Sequence, residues 1–219
     1  MAREVPPQVQ RFLATPQPGR RASVADLRLL AVDMETTGLD PRTAVTLSLG
    51  WVPVDRSAVV LGEADEVLLR PDPADLGAAG VGQSATLHGL TDDRLGRGVD
   101  PALGWARLVE ALTGRVLLAH HAALEVALLE SAARRLWGVR LRVRSVDTMA
   151  LQARIVAPGF ADEPGPEQLR LWTARARFGL PAVQAHDALH DALSCAELYL
   201  AQVAELGLGD GRLRDLSHR

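Results

Sequence analysis

The stretch Leu29-Leu30-Ala31-Val32-Asp33-Met34-Glu35-Thr36-Thr37-Gly38 decides how the rest of the chain is read. Leu29 to Val32 is short, apolar and free of turn residues, the pattern of a strand buried on both faces. Side chains alternate across a strand, so Asp33 and Glu35 point to the same side, roughly 7 Å apart along the chain. Two carboxylates at that spacing suit hard divalent cations. The blander alternative is a charged strand end turning into solvent through Thr36, Thr37 and Gly38.

Working outward, 219 residues suffice for one sizeable core. A formal charge of −3 does not by itself announce a nucleic-acid partner. Every basic residue apart from His is Arg, whose planar fork suits phosphate wherever it clusters. The single Cys195 excludes an internal disulfide and a Cys-based zinc site, and fits a reducing compartment. It reads as an inert buried thiol. The start of the chain carries no long apolar run, and no segment approaches the ~20 apolar residues of a membrane span. A soluble, cytoplasmic protein with no membrane contact is the expectation.

Residues 1–25, rich in Pro, Arg and Gln, read as an N-terminal arm or flap with a helical turn or two near Gln8 to Ala14. Residues 26–205 form the main domain, and residues 206–219 a tail. After the first strand, Thr46 to Val54 predicts a second, antiparallel to it, and Val59 to Leu69 a third. Residues 71–86 form a long loop broken by Pro and Gly, and Thr91 and Asp92 look like helix-start residues. Pro101 opens a helix carrying Leu103, Leu108, Val109 and Leu112, and Val116 to Ala119 is a short strand. Ala122 to Trp137 is the clearest helix. Glu125 shares its apolar stripe with Leu128, Leu129, Ala132 and Leu136, and an unpartnered buried carboxylate is costly, so Glu125 calls for a partner or a cation. Its other reading is a snorkelling edge residue.

Arg140, Arg142 and Arg144 alternate on an expected strand and form a basic cluster without an internal acid, either a solvated face or a phosphate-tracking wall. Asp147-Thr148 opens another helical stretch, residues 158–166 form a loop, and Glu167 to Phe178 is a helix capped by Gly179. The last long helix runs from about Asp187 to Leu206. Ala188, Ala192 and Ala196 give it a small-residue face, Asp191 borders that face, Asp187 is its cap, and His186 sits just before it.

This order of elements predicts an α/β domain with a mixed sheet. Asp33, Glu35, Glu125 and Asp191 would then meet in one cleft, where mutual repulsion raises their pKa values unless cations neutralise them. A pair of Mg²⁺ or Mn²⁺ ions would do so and would equip the cleft for phosphodiester hydrolysis, with His186 placed to take a proton from water.

Asp33-Met34-Glu35-Thr36-Thr37-Gly38 resembles the first motif of the DEDDh 3′→5′ exonucleases, the group that includes the epsilon proofreading subunit of bacterial DNA polymerase III. His186-Asp187-Ala188-Leu189-His190-Asp191-Ala192 resembles their third motif, His-x-Ala-x-x-Asp-Ala. His88-Gly89-Leu90-Thr91 and Asp147-Thr148 match weaker landmarks, and the resemblance covers roughly residues 26–205. The second motif departs from the usual His-Asn-Ala-x-Phe-Asp. Here it reads His120-His121-Ala122-Ala123-Leu124-Glu125, so the carboxylate stands about 1.5 Å further out on an extra methylene.

The resemblance implies an RNase H-like fold, with a mixed central sheet of about five strands flanked by helices. It implies stepwise release of nucleoside monophosphates from the 3′ end of single-stranded DNA or RNA. Asp33, Glu35 and Asp191 would bind metal, Glu125 would help hold a second ion, and His186 would be the general base. Thr36 and Thr37 would lie against the terminal nucleotide, with His120 and His121 as further substrate contacts. The Thr pair leans toward the proofreader-like members, hence toward DNA and a DNA polymerase partner. The altered second motif keeps open a non-catalytic or weakly active relative that binds nucleic acid or a polymerase. A nucleotide pyrophosphohydrolase of similar two-metal chemistry is a weaker third reading.

Overall fold

The computed structural model describes residues 4–76, 89–158, 164–183 and 186–217. Its centre is a six-stranded mixed sheet: β1 (Arg28–Thr36), β2 (Thr46–Asp55), β3 (Ala58–Val59), β4 (Asp65–Leu68), β5 (Val116–Ala119) and β6 (Ser145–Asp147). β1 lies antiparallel to β2 and parallel to β5, and β5 is parallel to β6. The expected RNase H-like sheet is therefore present. The long third strand is corrected to two short ones. A single turn at Leu61–Glu63 divides β3 from β4, and both pair with the outer edge of β2.

The helices are α1 (Pro7–Ala14), α2 (Pro101–Ala111), α3 (Ala122–Trp137), α4 (Thr148–Val156), α5 (Leu171–Arg177) and α6 (Ala188–Glu205), with single-turn helices between them. The expected helix from Glu167 to Phe178 is interrupted. Arg170 takes an extended backbone (φ −61°, ψ 141°), which separates a turn at Pro166–Leu169 from α5. Arg140, Arg142 and Arg144 precede β6 rather than lying in a strand. Residues 77–88, which hold most of the expected loop and His88, and residues 159–163 of the second loop lie outside the described residues.

Alternation along β1 gives the sheet two filled faces. Leu30, Val32 and Met34 face α2 and α3 with Trp105, Leu108 and Leu129, while Leu29 and Ala31 face α6 with Ala192, Cys195 and Tyr199. The N-terminal segment, expected as an arm or flap, is seated in the first layer, where Val9 and Phe12 are buried. The tail closes the second layer through Leu213 and Leu216. The two ends are tied together by Val24 N–H to the Gly211 carbonyl (3.0 Å) and Leu213 N–H to the Ala22 carbonyl (2.9 Å). The small face of α6 is fully used, with Ala188, Ala192 and Ala196 all buried.

Candidate active site

Asp33 and Glu35 continue the β1 alternation and emerge on the α6 side, where the apolar run ends. Across the ladder they meet Gly50 and Ser48, both small residues. A register shift between Glu35 and Thr36 ends the regular pairing and re-aims the chain. The loop that follows is pinned by its own hydroxyls. Thr36 Oγ1 donates to the Gly38 carbonyl (2.7 Å), and Thr37 Oγ1 accepts the Val45 N–H (3.0 Å).

Gly50 brings the third motif to this place. A Cβ on Gly50 would stand 2.2 Å from the backbone carbon of Ala188, so only glycine lets the first turn of α6 lie directly on β2. Asp187 caps α6 by accepting the His190 N–H (3.0 Å), the role expected for it. Asp191, one turn in, is buried, and its Oδ2 accepts the His186 backbone N–H (3.0 Å). Ligand atoms of Glu35, His186 and Asp191 lie within 4.8 Å of one another. The first and third motifs therefore meet.

Glu125 acts on Asp33 from α3, outside the close group of Glu35, His186 and Asp191. It sits in the first turn of α3 and is 5% exposed. The snorkelling alternative does not hold for this residue. Asp147 fixes the start of α3: its carboxylate accepts the N–H groups of His121 (3.0 Å), Ala122 (3.1 Å) and Met149 (2.9 Å), joining the openings of α3 and α4. His120 is braced on both ring nitrogens, Nδ1 against the Thr148 hydroxyl (2.9 Å) and Nε2 against the Leu169 carbonyl (2.7 Å). The carbonyl can only accept, so Nε2 carries the proton and Nδ1 is left as the ring's acceptor in the neutral form. Burial lowers the His120 pKa, which favours this neutral form. His121 is exposed.

Both motif histidines outside the core adopt left-handed backbone, His121 at φ 82° and His186 at φ 66°. Asn, Asp and His enter this region more readily than most side chains. His121 can therefore stand where the family pattern has Asn without disturbing the turn into α3.

Electrostatically the cleft is a concentration of carboxyls with few compensating donors. Burial, then the charges of Glu125, Asp191 and Glu35, hold Asp33 well above the usual carboxylate range. Burial, then Asp191 and Asp187, lifts Glu35 to about 7. Burial lifts Glu125 to about 8 against the opposing effect of its own backbone N–H, and lifts Asp191 to about 6 against the His186 N–H. Glu125 Oε2 and Asp191 Oδ1 are buried and have no hydrogen-bond partner among the described residues. Glu35, His186 and Asp191 stand close enough to share one divalent cation, and the unpartnered oxygen of Asp191 fits that use.

Sequence reasoning missed Gly50 and the bracing of His120 by Thr148 and Leu169. An isolated glycine inside a strand pattern is a signal of close backbone approach and was there to be read.

An RNase H-like sheet with acids converging at the end of its first strand defines a nuclease-type centre. The comparisons with known proteins agree: the exonuclease family model matches residues 30–199, and the chain belongs to that family, as the DEDDh resemblance implied. It is 31% identical over 180 residues to DNA polymerase III subunit epsilon of Treponema pallidum (strain Nichols), covering 80% of this chain and 75% of that protein. Exonuclease I of E. coli, in a zinc-bound complex with single-stranded DNA, matches with a TM-score of 0.65 at 17% identity, over 83% of this chain and 41% of that one. Exonuclease I from Methylocaldum szegediense matches with a TM-score of 0.65 at 20% identity, over 82% and 40%. This chain thus spans about two-fifths of the length of those two solved exonucleases, and the likeness to them is one of fold. No helix among the described residues is long and apolar enough to cross a membrane.

Proposed function

We propose that the protein is a 3′→5′ exonuclease that shortens single-stranded nucleic acid, DNA in preference to RNA, by releasing nucleoside monophosphates. The observation that carries this reading is the meeting of Glu35, His186 and Asp191 within 4.8 Å, beside Asp33 and the buried Glu125. The 3′ polarity and the DNA preference come from the family resemblance, with the Thr36-Thr37 pair behind the second. The same resemblance supports a cytoplasmic location and a DNA polymerase as partner.

Asp33, Glu35 and Asp191 would hold one cation, and Glu125 would help hold a second, as Mg²⁺ or Mn²⁺. Such ions, when bound, neutralise the carboxylates, stabilise charge developing on the phosphoryl oxygens and make water a stronger acid. The remaining work belongs to the chain. His186, with an exposed ring next to Glu35 and Asp191, accepts the proton that the attacking water gives up. Water bonds to phosphorus, the 3′ oxygen of the shortened strand leaves, and the released nucleotide keeps its 5′ phosphate. Thr36 and Thr37, on their pinned loop, lie against the terminal nucleotide. Of the two second-motif histidines, His121 is the one with an exposed side chain for the substrate. His120 serves it indirectly, by holding the turn into α3.

Matched DNA and RNA strands labelled at either end test the reading. With Mg²⁺ or Mn²⁺, a 5′ label should give a ladder that shortens one nucleotide at a time, while a 3′ label should appear at once as mononucleotide. Internal fragments, or intact strands with both metals, would overturn it.

A further inference from the structure

A second feature lies at the other end of β6 from the carboxylates. Asp147, at the end of β6, holds the turn beside Glu125, whereas Arg144 immediately precedes its start. Between the exit of α1 and the segment leading into β6 runs a trough of about 750 Å³. Phe12, Leu13 and Gln17 form one side, and Arg140, Arg142 and Arg144 the other, with no carboxylate in the lining among the described residues. Exposure alternates along the second wall: the three Arg residues are exposed, Leu141 is buried and Val143 half-buried. Three guanidinium groups are thus presented on alternate residues, spread over about 13 Å if the segment is extended.

None of the three forms an ion pair among the described residues. Gln17 supplies an independent sign. Its Oε1 accepts the Arg144 N–H (2.8 Å), which locks the two walls together, while its Nε2 is buried without an acceptor among the described residues. The Arg wall of the trough therefore presents donors with no carboxylate opposite them among the described residues. Leu13, half-exposed at its rim, adds an apolar surface.

We propose that this trough is a second nucleic-acid contact, taking the phosphodiester backbone of a single strand away from its cleaved end. A row of guanidinium forks asks for a row of anions, and phosphate matches each fork in geometry. The excess of donors and the apolar rim are the combination that single-strand grooves use, charge for the backbone and apolar surface for sugar or base. The inference rests on the nuclease reading for its choice of polyanion, and it concerns the hold on long strands, not the chemistry.

The test uses the full chain and anisotropy of labelled single strands of 20 and 3 nucleotides, in EDTA to prevent cleavage. The triple variant Arg140→Gln/Arg142→Gln/Arg144→Gln should bind the 20-mer about tenfold or more weakly at low salt. The slope of log affinity against log salt should fall by about 2, as three lost single-strand phosphate contacts require. Cleavage of the trinucleotide, assayed with Mn²⁺, should stay within about twofold of the unaltered protein. Gln17→Glu, which keeps the acceptor for Arg144 but places a negative charge in the trough, should weaken the 20-mer in the same direction. Unchanged affinity and slope in both variants would make the arginines a solvated face and overturn the proposal. So would a polyglutamate peptide whose binding the triple variant loses while the 20-mer is unaffected, since the trough would then take an acidic protein. A trinucleotide left uncut by the unaltered protein would count against the nuclease reading instead, and the binding comparison would still stand.

Discussion

Gly50 pairs with Asp33 across the two central strands, and the missing side chain at Gly50 is what admits the helix bearing Asp191. The acids of the first and third motifs are joined through a residue that has no chemistry of its own. Gly50→Ala would place a carbon 2.2 Å from the Ala188 backbone, and that backbone cannot swing aside as a flexible side chain would. The substitution should destabilise the fold by about 1–3 kcal/mol, as overpacking does. It should also lower cleavage by roughly 10²-fold, because α6 must lift and misplace Asp191. A melting curve and a single-turnover rate check both, and a normal rate would show that Asp191 does not depend on this contact.

Stability should depend on pH in a direction unusual for acids. Burial first, then neighbouring carboxylates, hold Asp33, Glu35, Glu125 and Asp191 above their ordinary range, with Asp191 at about 6, Glu35 at about 7 and Glu125 at about 8. A carboxyl whose folded pKa is raised binds its proton more tightly in the folded chain. Its contribution is full below the unfolded value, near pH 4, and is lost as pH rises through the folded value. In EDTA the melting temperature should therefore fall between pH 5 and pH 8. Mg²⁺ or Mn²⁺ should raise it more at pH 8 than at pH 5, where protons compete for the same oxygens. Melting in EDTA that rises across this range would contradict the account of the cleft.

Glu125 should show the signature of a residue kept for function at the expense of stability. Glu125→Gln preserves shape and removes a buried charge with an unpartnered oxygen, so the metal-free protein should melt higher at pH 8. Its cleavage rate should fall by about 10²-fold or more. Glu125→Asp, which matches the family pattern, should retain most of the rate. An unaltered rate in Glu125→Gln would remove this residue from the site.

Asp147 predicts the opposite combination. Its carboxylate accepts three backbone N–H groups at the starts of two helices. Asp147→Ala strands those donors and should cost about 2 kcal/mol, readable by urea denaturation. Asp147→Asn, which keeps one acceptor oxygen, should lose less. Equal stability of all three proteins would show that solvent replaces the cap.

Much of this was readable beforehand because local and global signals agreed. The apolar run before Asp33 fixes a central strand, the Ala188/Ala192/Ala196 face fixes how close α6 lies, and an acid on the buried stripe of α3 marks Glu125 for the cleft. Other parts depend on neighbours that a linear reading does not supply. Residues 59–69 are apolar enough for one strand, and only pairing along a single edge of β2 shows why they divide. Glu167 to Phe178 has helical spacing, yet the extended Arg170 breaks it. The Pro-rich start reads as an arm, yet Val9 and Phe12 find a place against α2 that composition does not reveal. Gly50 is the instructive omission, since its meaning lies in the helix that crosses it some 140 residues later.

The most direct test of the account is the rate of shortening of a 5′-labelled single strand as Mn²⁺ is raised, for the unaltered protein beside Asp191→Asn. The account predicts no cleavage in EDTA, a rate that rises to saturation with Mn²⁺ in the unaltered protein, and a rate at least about 10²-fold lower in Asp191→Asn at every concentration. Cleavage in EDTA, or a variant as fast as the unaltered protein, would contradict it.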